Sequence, residues 1–466
     1  MEASAPSEVY DAVIVGGGLA GLSAAWFLRH RRILLLEARP RVGGRVMSVR
    51  DGGYWVNLGA QLFPGEDAEL SLLAELLGVC VLPVPGSFLS VLDDGRILNP
   101  RRPEALLFKL RLSPRERLAF LRAAIKLRRA TRAFGAGDRG VAAHSAPARA
   151  RHASFLDDQT FADFLGPLPP RVDAIFRTIA HRASAEPEEL SAGAAITVIA
   201  GVLSPKRGAS LLARTVKGGT EQIIEAIADK LAGRIACGCA VNRVRTREDG
   251  VLIDCSVSGT GRTFMARHVV LATPAPVTRS ILDPPEPLDS ALASVVYGAF
   301  VSMGIFTSEK QRTRWDDIYA LTTPGCSFDF VFNHANVLRR PEERQPGGSL
   351  MLYCGGPRAA ALCQDHDAEI ERTYLADLFR VFPELRGKVR DTTVQRWPIG
   401  TALSAPGRAQ LQPIIERGVA SQSIHLAGDY LYPLGSMEAA TQSGMRAAKS
   451  VETMLGQRSL AASAQL

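Results

Sequence analysis

The chain has 466 residues, a formal net charge of +8, and 46% hydrophobic against 22% charged residues. That composition excludes a disordered or fibrous protein, and the length supplies core for two or three domains. Seven cysteines, at 80, 237, 239, 255, 326, 354 and 363, show no paired spacing, and no apolar run reaches the roughly 18 residues of a membrane span, so a disulfide framework and a spanning helix are both excluded.

Met1 to Val9 carries neither a basic nor an apolar leader region, so no signal peptide is expected. Val13-Ile14-Val15 predicts a strand. It runs into Gly16-Gly17-Gly18-Leu19-Ala20-Gly21, and small apolar residues then continue to Leu28 as a helix. This is a G-x-G-x-x-G turn between strand and helix. Gly16 permits the turn, Gly18 lets backbone approach a pyrophosphate, and Gly21 lets helix and strand pack closely. Ile33 to Leu36 predicts a second strand ending at Glu37. A carboxylate about 20 residues after the first glycine is placed to accept from a ribose hydroxyl. The unit predicts dinucleotide binding without separating NAD from FAD.

The next residues carry a resemblance. Glu37-Ala38-Arg39-Pro40-Arg41-Val42-Gly43-Gly44-Arg45 resembles the E-x(6)-G-G-R signature of the flavin amine oxidase superfamily. That group spans amine oxidases, protoporphyrinogen oxidases, and carotenoid and squalene-linked desaturases. Near the other end, Ile424 to Tyr430 (IHLAGDY) and Gly435-Ser436-Met437-Glu438-Ala439-Ala440 resemble the family's closing motif, in wording closest to desaturase-type members. The resemblance implies an α/β fold, with a Rossmann-type, glutathione-reductase-like FAD domain interleaved with a mixed α+β substrate domain. It also implies contacts to FAD from Gly16, Gly18, Leu19, Ala20 and Gly21, from Glu37, Ala38 and Arg39, and from Gly43, Gly44 and Arg45. Further contacts are implied from Gly59, Ala60 and Gln61, from Val241, Ala272 and Trp397, and from Gly428, Asp429, Ser436 and Met437. Arg45 would neutralise pyrophosphate, Asp429 would bond the ribityl region, and Met437 would offer its N–H to the flavin pyrimidine carbonyl at a helix start.

Residues 1–85, 206–285 and 391–466 are expected in the FAD domain, and 86–205 with 286–390 in the substrate domain. Residues 86–205 read as mostly helical. Within them, 101–134 hold eleven Lys or Arg against two Glu, a net +9, which leaves −1 for the rest of the chain. Leu118, Leu121 and Ile125 recur there at helical spacing, and Pro114 suits a helix start. Such a basic amphipathic segment fits either the surface of an anionic membrane or a helix packed on the substrate domain with its arginines in water. It lacks the interleaved aromatics of nucleic-acid binding, so no nucleic-acid partner is expected. Residues 135–154, rich in Ala, Gly, Arg and Ser, are expected as a mobile loop. Further on, Lys217-Gly218-Gly219-Thr220 precedes an apolar helix, and Val241–Val244 and Val251–Ile253 read as paired strands. Cys237-Gly238-Cys239 reads as two small hydrophobes on one strand face, and no metal site is expected.

In this family a flavin accepts a hydride, and the protein supplies orientation. No second G-x-G-x-x-G exists, so oxygen, a quinone or another carrier is the expected electron acceptor. No cysteine lies between 364 and 466, where covalent family members attach FAD, so the cofactor is expected to be non-covalent. Many amine oxidases place a lysine on a substrate-domain strand; the matching strand Gly298 to Gly304 has none, and Ser302 or a neighbour stands there. Trp397 with Tyr430 or Tyr432 could supply an amine-facing aromatic pair, or the tyrosines could pack on their own loop. His334 is a candidate acid–base group or a loop histidine bonded to backbone. His181-Arg182, at a helix end, suits the helix dipole and a structural role.

The expected activity is removal of a hydride and a proton from a small hydrophobic substrate, an isoprenoid, polyene or porphyrin-like molecule. The alternative is an amine or amino-acid oxidase releasing an imine and hydrogen peroxide. A non-catalytic carrier on the same scaffold is disfavoured by the retention of both Gly43-Gly44-Arg45 and Gly428-Asp429. The thiols suit a reducing cytoplasm, with peripheral membrane contact through 101–134 as the open addition. Oligomeric state is not legible.

Overall fold

The computed structural model describes residues 9–100, 102–135, 146–203, 214–339, 344–419 and 423–463. Strand β1 (Val9–Val15), helix α1 (Leu19–Phe27) and strand β2 (Ile33–Glu37) form the expected βαβ unit. The two strands are parallel, in register from Ala12↔Ile33 to Val15↔Leu36. Helix α1 has no polar face, and every residue from Leu19 to Trp26 is buried. It lies between the sheet and the long helix Met437–Ser463. Small residues bring those two helices together: Gly444 sits against the Ala20 carbonyl and the Ala24 amide.

The first sheet has seven strands. Cys239–Arg247, Gly250–Val257 and Thr260–Leu271 form an antiparallel meander, followed by β1, β2 and Ile235–Cys237. The far end of Thr260–Leu271 turns parallel, flanked by β1 and by Ile424–Leu426. Val15, Leu271 and Leu426 therefore share one register line. The turns that follow them, at Gly16, Ala272 and Gly428, open at the carboxyl edge of the sheet, where parallel α/β folds bind ligands.

The second sheet also has seven strands. Strand β3 (Tyr297–Thr307) pairs with β4 (Gly348–Gly355) on one side and β5 (Val389–Ala402) on the other. Alternation divides its faces. Val301, Met303 and Ile305 pack on the helix Asp367–Val381. Phe300, Phe330, Phe332, Tyr353 and Trp397 face the other way, onto Tyr54, Val56 and Leu58.

Helix α2 (Pro114–Gly135) carries the basic segment. Phe120, Ala123 and Leu127 bury one face against Val172, Phe176 and Ile196. The opposite face leaves Leu118, Leu121 and Ile125 exposed at 47%, 39% and 42%. Among the described residues, no helix is long and apolar enough to cross a membrane.

Three expectations need correction. Residues 391–402 lie in the substrate sheet, because β5 hydrogen-bonds to β3 along nearly its whole length. Within the mostly helical stretch 86–205, Ser90–Asp93 and Arg96–Leu98 extend the same sheet. Ala146–Ser154 is a helix rather than a loop. Alanine and arginine favour that state, and Phe134 stacks on His152 at 4.5 Å and meets Phe155 at 5.5 Å. Residues 136–145 of the same expectation lie outside the described residues. Finally, Cys237 and Cys239 sit on separate strands across a turn at Gly238, and Cys237 is exposed.

Helix α3 (Pro170–Arg182) is pinned to the sheet by charge. His181 Nδ1 lies 2.8 Å from Asp329 and Nε2 lies 3.2 Å from Glu186. Asp329 also takes Arg358 at 2.6 Å and the Gly355 N–H at 2.9 Å, while Glu186 takes Arg177. Burial opposes charge on the imidazole, but the two carboxylates outweigh it and lift His181 from 6.5 to about 9. A raised folded value stabilises below the unfolded pKa and loses that stability as pH climbs through the folded one. Unfolding midpoints should therefore fall between pH about 6.5 and 9, by at most roughly 3 kcal/mol. His181→Gln should flatten this segment of the profile; an unchanged slope would remove His181 as its cause.

Candidate active site

The glycine turn is built by close approach. Gly16 adopts a φ of +105°, and a Cβ there would meet the Ala272 carbonyl oxygen at 2.7 Å. A Cβ on Gly21 would collide with the Gly16 carbonyl, so α1 starts hard against β1. Gly18 is the opposite case, with nothing within 4 Å of a Cβ built on it. Its open side lies at the start of α1, where Leu19 and Ala20 present first-turn N–H groups. The Gly43 N–H donates to the Gly17 carbonyl at 2.7 Å, and Gly44 packs against the Gly18 backbone. The two glycine motifs thus form one cradle.

Glu37 closes its far side. Its Oε2 accepts from the Gly17 N–H at 2.6 Å and its Oε1 from the Arg39 N–H at 2.9 Å. The Gly238 N–H donates to the Arg39 carbonyl at 3.0 Å, which ties Ala38-Arg39 to the sheet edge. Val241 lies on the neighbouring strand, opposite Cys255.

Arg45 joins the two ends of the chain. Its guanidinium grips Asp429 bidentately at 2.9 and 2.7 Å and donates to the Gly400 carbonyl at 2.6 Å. Burial works against this charge, but the Asp429 carboxylate more than offsets it, and Arg45 titrates above its ordinary value. The Gly428 N–H donates to Ser443 Oγ at 2.9 Å. Ser436 Oγ accepts from the Ala439 N–H at 3.0 Å and caps the helix that starts at Met437.

The Gly59–Gln61 segment runs beneath Arg45. The Ala60 N–H donates to the Arg45 carbonyl at 3.1 Å, and the Ala60 carbonyl accepts from Thr220 Oγ1 at 2.8 Å. Gln61 is buried, with Oε1 2.9 Å from His334 Nε2. His334 Nδ1 accepts from the Asn57 N–H at 3.2 Å, so the proton sits on Nε2. Burial pushes His334 down to about 3. It is therefore neutral with both nitrogens committed, a histidine that orients Gln61 rather than a free acid–base group.

The substrate sheet meets this segment at one acceptor. Trp397 Nε1 donates to the Leu58 carbonyl at 2.8 Å and Ser302 Oγ to the same oxygen at 2.5 Å. Ser302, which the resemblance sets at or next to the lysine position of amine oxidases, is fully buried with its hydroxyl bonded to backbone. Phe300, not either tyrosine, is the ring beside Trp397, at 5.9 Å. Phe300 stacks on Tyr353 at 5.4 Å. Tyr430 and Tyr432 pack in another cluster, with Leu288, Leu292 and Ile415, and Arg446 lies over the Tyr432 ring.

Arg182 was missed by sequence reading. Its place at a helix end suggests a role at the helix dipole, yet its guanidinium lies 5.1 Å over the Phe332 ring. The alternation of Phe330 and Phe332 is the available signal for an aromatic wall.

These residues fit FAD: an open glycine cradle at a helix start, a carboxylate at the end of β2, and an arginine by the capped second helix. Asp429→Ala would leave Arg45 as a buried cation without its carboxylate. Flavin retention should weaken about 10- to 100-fold, read as visible absorbance per protein after dialysis. A fully yellow variant would displace Asp429 from the site.

A family model described as flavin containing amine oxidoreductase matches residues 19–451. A Mycobacterium tuberculosis protein provisionally named flavin-containing monoamine oxidase AofH is 31% identical over 296 residues, covering 60% of this chain and 61% of its own length. The 15-cis-phytoene desaturase of Narcissus pseudonarcissus is 23% identical over 497 residues, covering 96% of this chain and 80% of its own. In structure, cyclohexylamine oxidase from Brevibacterium oxydans IH-35A aligns over 96% of this chain and 100% of that one, with TM-score 0.75 and 21% identity. The match covers nearly the whole chain, and the chain belongs to the flavin-containing amine oxidoreductase family.

Proposed function

We propose that the protein dehydrogenates a hydrophobic, non-cationic substrate in the manner of the desaturases. The observation that carries this reading is the aromatic wall whose Trp397 stands beside Gly59. It consists of Phe300, Phe330, Phe332, Tyr353 and Trp397, with the Arg182 cation at its edge. An alkylammonium would meet a like charge there and no paired tyrosines. Two hydrogens leave adjacent carbons, one as hydride and one as proton, and a double bond forms. FAD, when bound, supplies the two-electron acceptor, and oxygen, a quinone or another carrier takes the electrons on. The wall orients the substrate by aromatic contact and excludes water. Ser302 and His334 are committed to protein partners, so neither takes the proton.

We also propose that α2 docks on an anionic membrane. Leu118, Leu121 and Ile125 make an exposed stripe opposite the buried one, with exposed Arg115, Arg122 and Arg129 beside it. Phe108, 76% exposed, precedes the helix. Apolar side chains with flanking cations suit an acidic headgroup layer.

Anaerobic mixing of the holoprotein with polyenes, porphyrinogens and amines should bleach the flavin with an apolar, non-amine compound. Bleaching by amines alone would replace this reading with the oxidase one. The protein should sediment with phosphatidylglycerol vesicles and not with phosphatidylcholine vesicles. Replacing Leu118, Leu121 and Ile125 together by Ser should release it; undiminished sedimentation would rule out the stripe.

A further inference from the structure

We infer that Arg182 is an anchor for a carboxylate carried by the otherwise apolar substrate. This rests on the reading of the aromatic wall as the substrate surface, and it names a chemical class that the wall alone does not.

The argument starts from an unmet charge. Arg182 ends α3 and lies partly buried against the wall, with its guanidinium over Phe332 at 5.1 Å. Among the described residues, no carboxylate or carbonyl accepts from that guanidinium. Its neighbours explain why. Asp329 is taken by His181, Arg358 and the Gly355 N–H, and Glu186 by His181 and Arg177. Burial works against the Arg182 charge, and the surrounding groups do not restore it. The Phe332 face offsets part of the cost, as a ring quadrupole does for a nearby cation. A guanidinium stays protonated in proteins, so an arriving anion meets a full positive charge there.

A second donor shares this corner. The Tyr319 hydroxyl lies within electrostatic range of Arg182, is fully buried, and has no acceptor among the described residues. Tyr353, also beside Arg182, has its hydroxyl occupied by Ser184 and the His181 carbonyl. A partly buried guanidinium that no protein group accepts from, beside one buried orphan hydroxyl, marks a place for an acceptor. One planar guanidinium matches the two oxygens of a carboxylate. A phosphate dianion ordinarily draws more than one cation, and the named neighbours supply none that is uncommitted.

The wall then orders the substrate end to end. Its carboxylate sits by Arg182 and its hydrocarbon runs along Phe332, Tyr353 and Phe300 toward Trp397, which stands beside Gly59. The anchor fixes which carbons lie opposite the cofactor segment.

The test uses FAD-loaded protein and unreactive probes. Benzoate should perturb the flavin absorption spectrum, and benzamide, its neutral isostere, should bind at least about tenfold more weakly. Arg182→Met should weaken benzoate about 10- to 100-fold while leaving benzamide and flavin content unchanged, and Arg182→Lys should recover part of the loss. Equal binding of benzoate and benzamide to the wild type would overturn the anchor without recourse to any variant. Tighter binding of phenyl phosphate than of benzoate would overturn the carboxylate assignment in favour of a phosphate. Bleaching by L-phenylalanine together with a normal benzoate preference would retire the non-cationic reading and leave Arg182 standing, so the two failures are distinguishable.

Discussion

One backbone oxygen holds the two halves of this protein in register. The Leu58 carbonyl accepts from Trp397 and from Ser302, which stand on adjacent strands of the substrate sheet. The next residue, Gly59, begins the segment that runs under Arg45. Both donors are buried, and a buried hydrogen bond is costly to break because the orphaned groups find no water. The aromatic wall is thereby set at a fixed distance from Gly59–Gln61. If that junction slipped by one residue, alternation would turn Phe300 and Trp397 away from the site.

The same economy of partners runs through the charged groups. Arg45 and Asp429 satisfy each other across 384 positions of sequence, His334 is spent on Gln61 and Asn57, and Asp329 on His181, Arg358 and backbone. Groups held by such partners keep their positions in the absence of substrate. Arg182 and the Tyr319 hydroxyl are exceptions, and they stand together.

The cofactor side was legible in the sequence because its constraints are local. A turn that admits only glycine, a helix start and a carboxylate at a fixed spacing are all written within 45 residues. Even the distant closing motif announced itself through Gly428-Asp429 and a capped helix. The substrate side was not legible, because its wall is assembled from strands far apart in sequence whose pairing no short window contains. Ser302 was found by following one strand, while Phe300, Phe332 and Tyr353 went unremarked as ordinary apolar residues. Arg182 looked like a helix-end cation, a fair reading of its neighbours in sequence and a misleading one of its neighbours in space. The helix at Ala146–Ser154 was missed for a related reason, since its docking partners Phe134 and Phe155 flank it rather than lie within it.

The long strand β5 and the short strand Ile424–Leu426 have a consequence for how the chain is made. Each completes a different sheet, and both are synthesised late. Until β5 emerges, β3 presents an unpaired edge rich in Phe, Val, Ile and Met. Until Ile424–Leu426 emerges, the end of Thr260–Leu271 is likewise uncovered. Such edges invite pairing with other chains. The nascent protein therefore stays vulnerable in both halves until residues 389–426 have emerged, and closing either sheet requires contacts across a long stretch of chain, which is intrinsically slow. Neither the cradle nor the wall is complete before then, because Trp397 stands on β5 and Asp429 follows Ile424–Leu426 directly, so cofactor capture waits for both sheets to close.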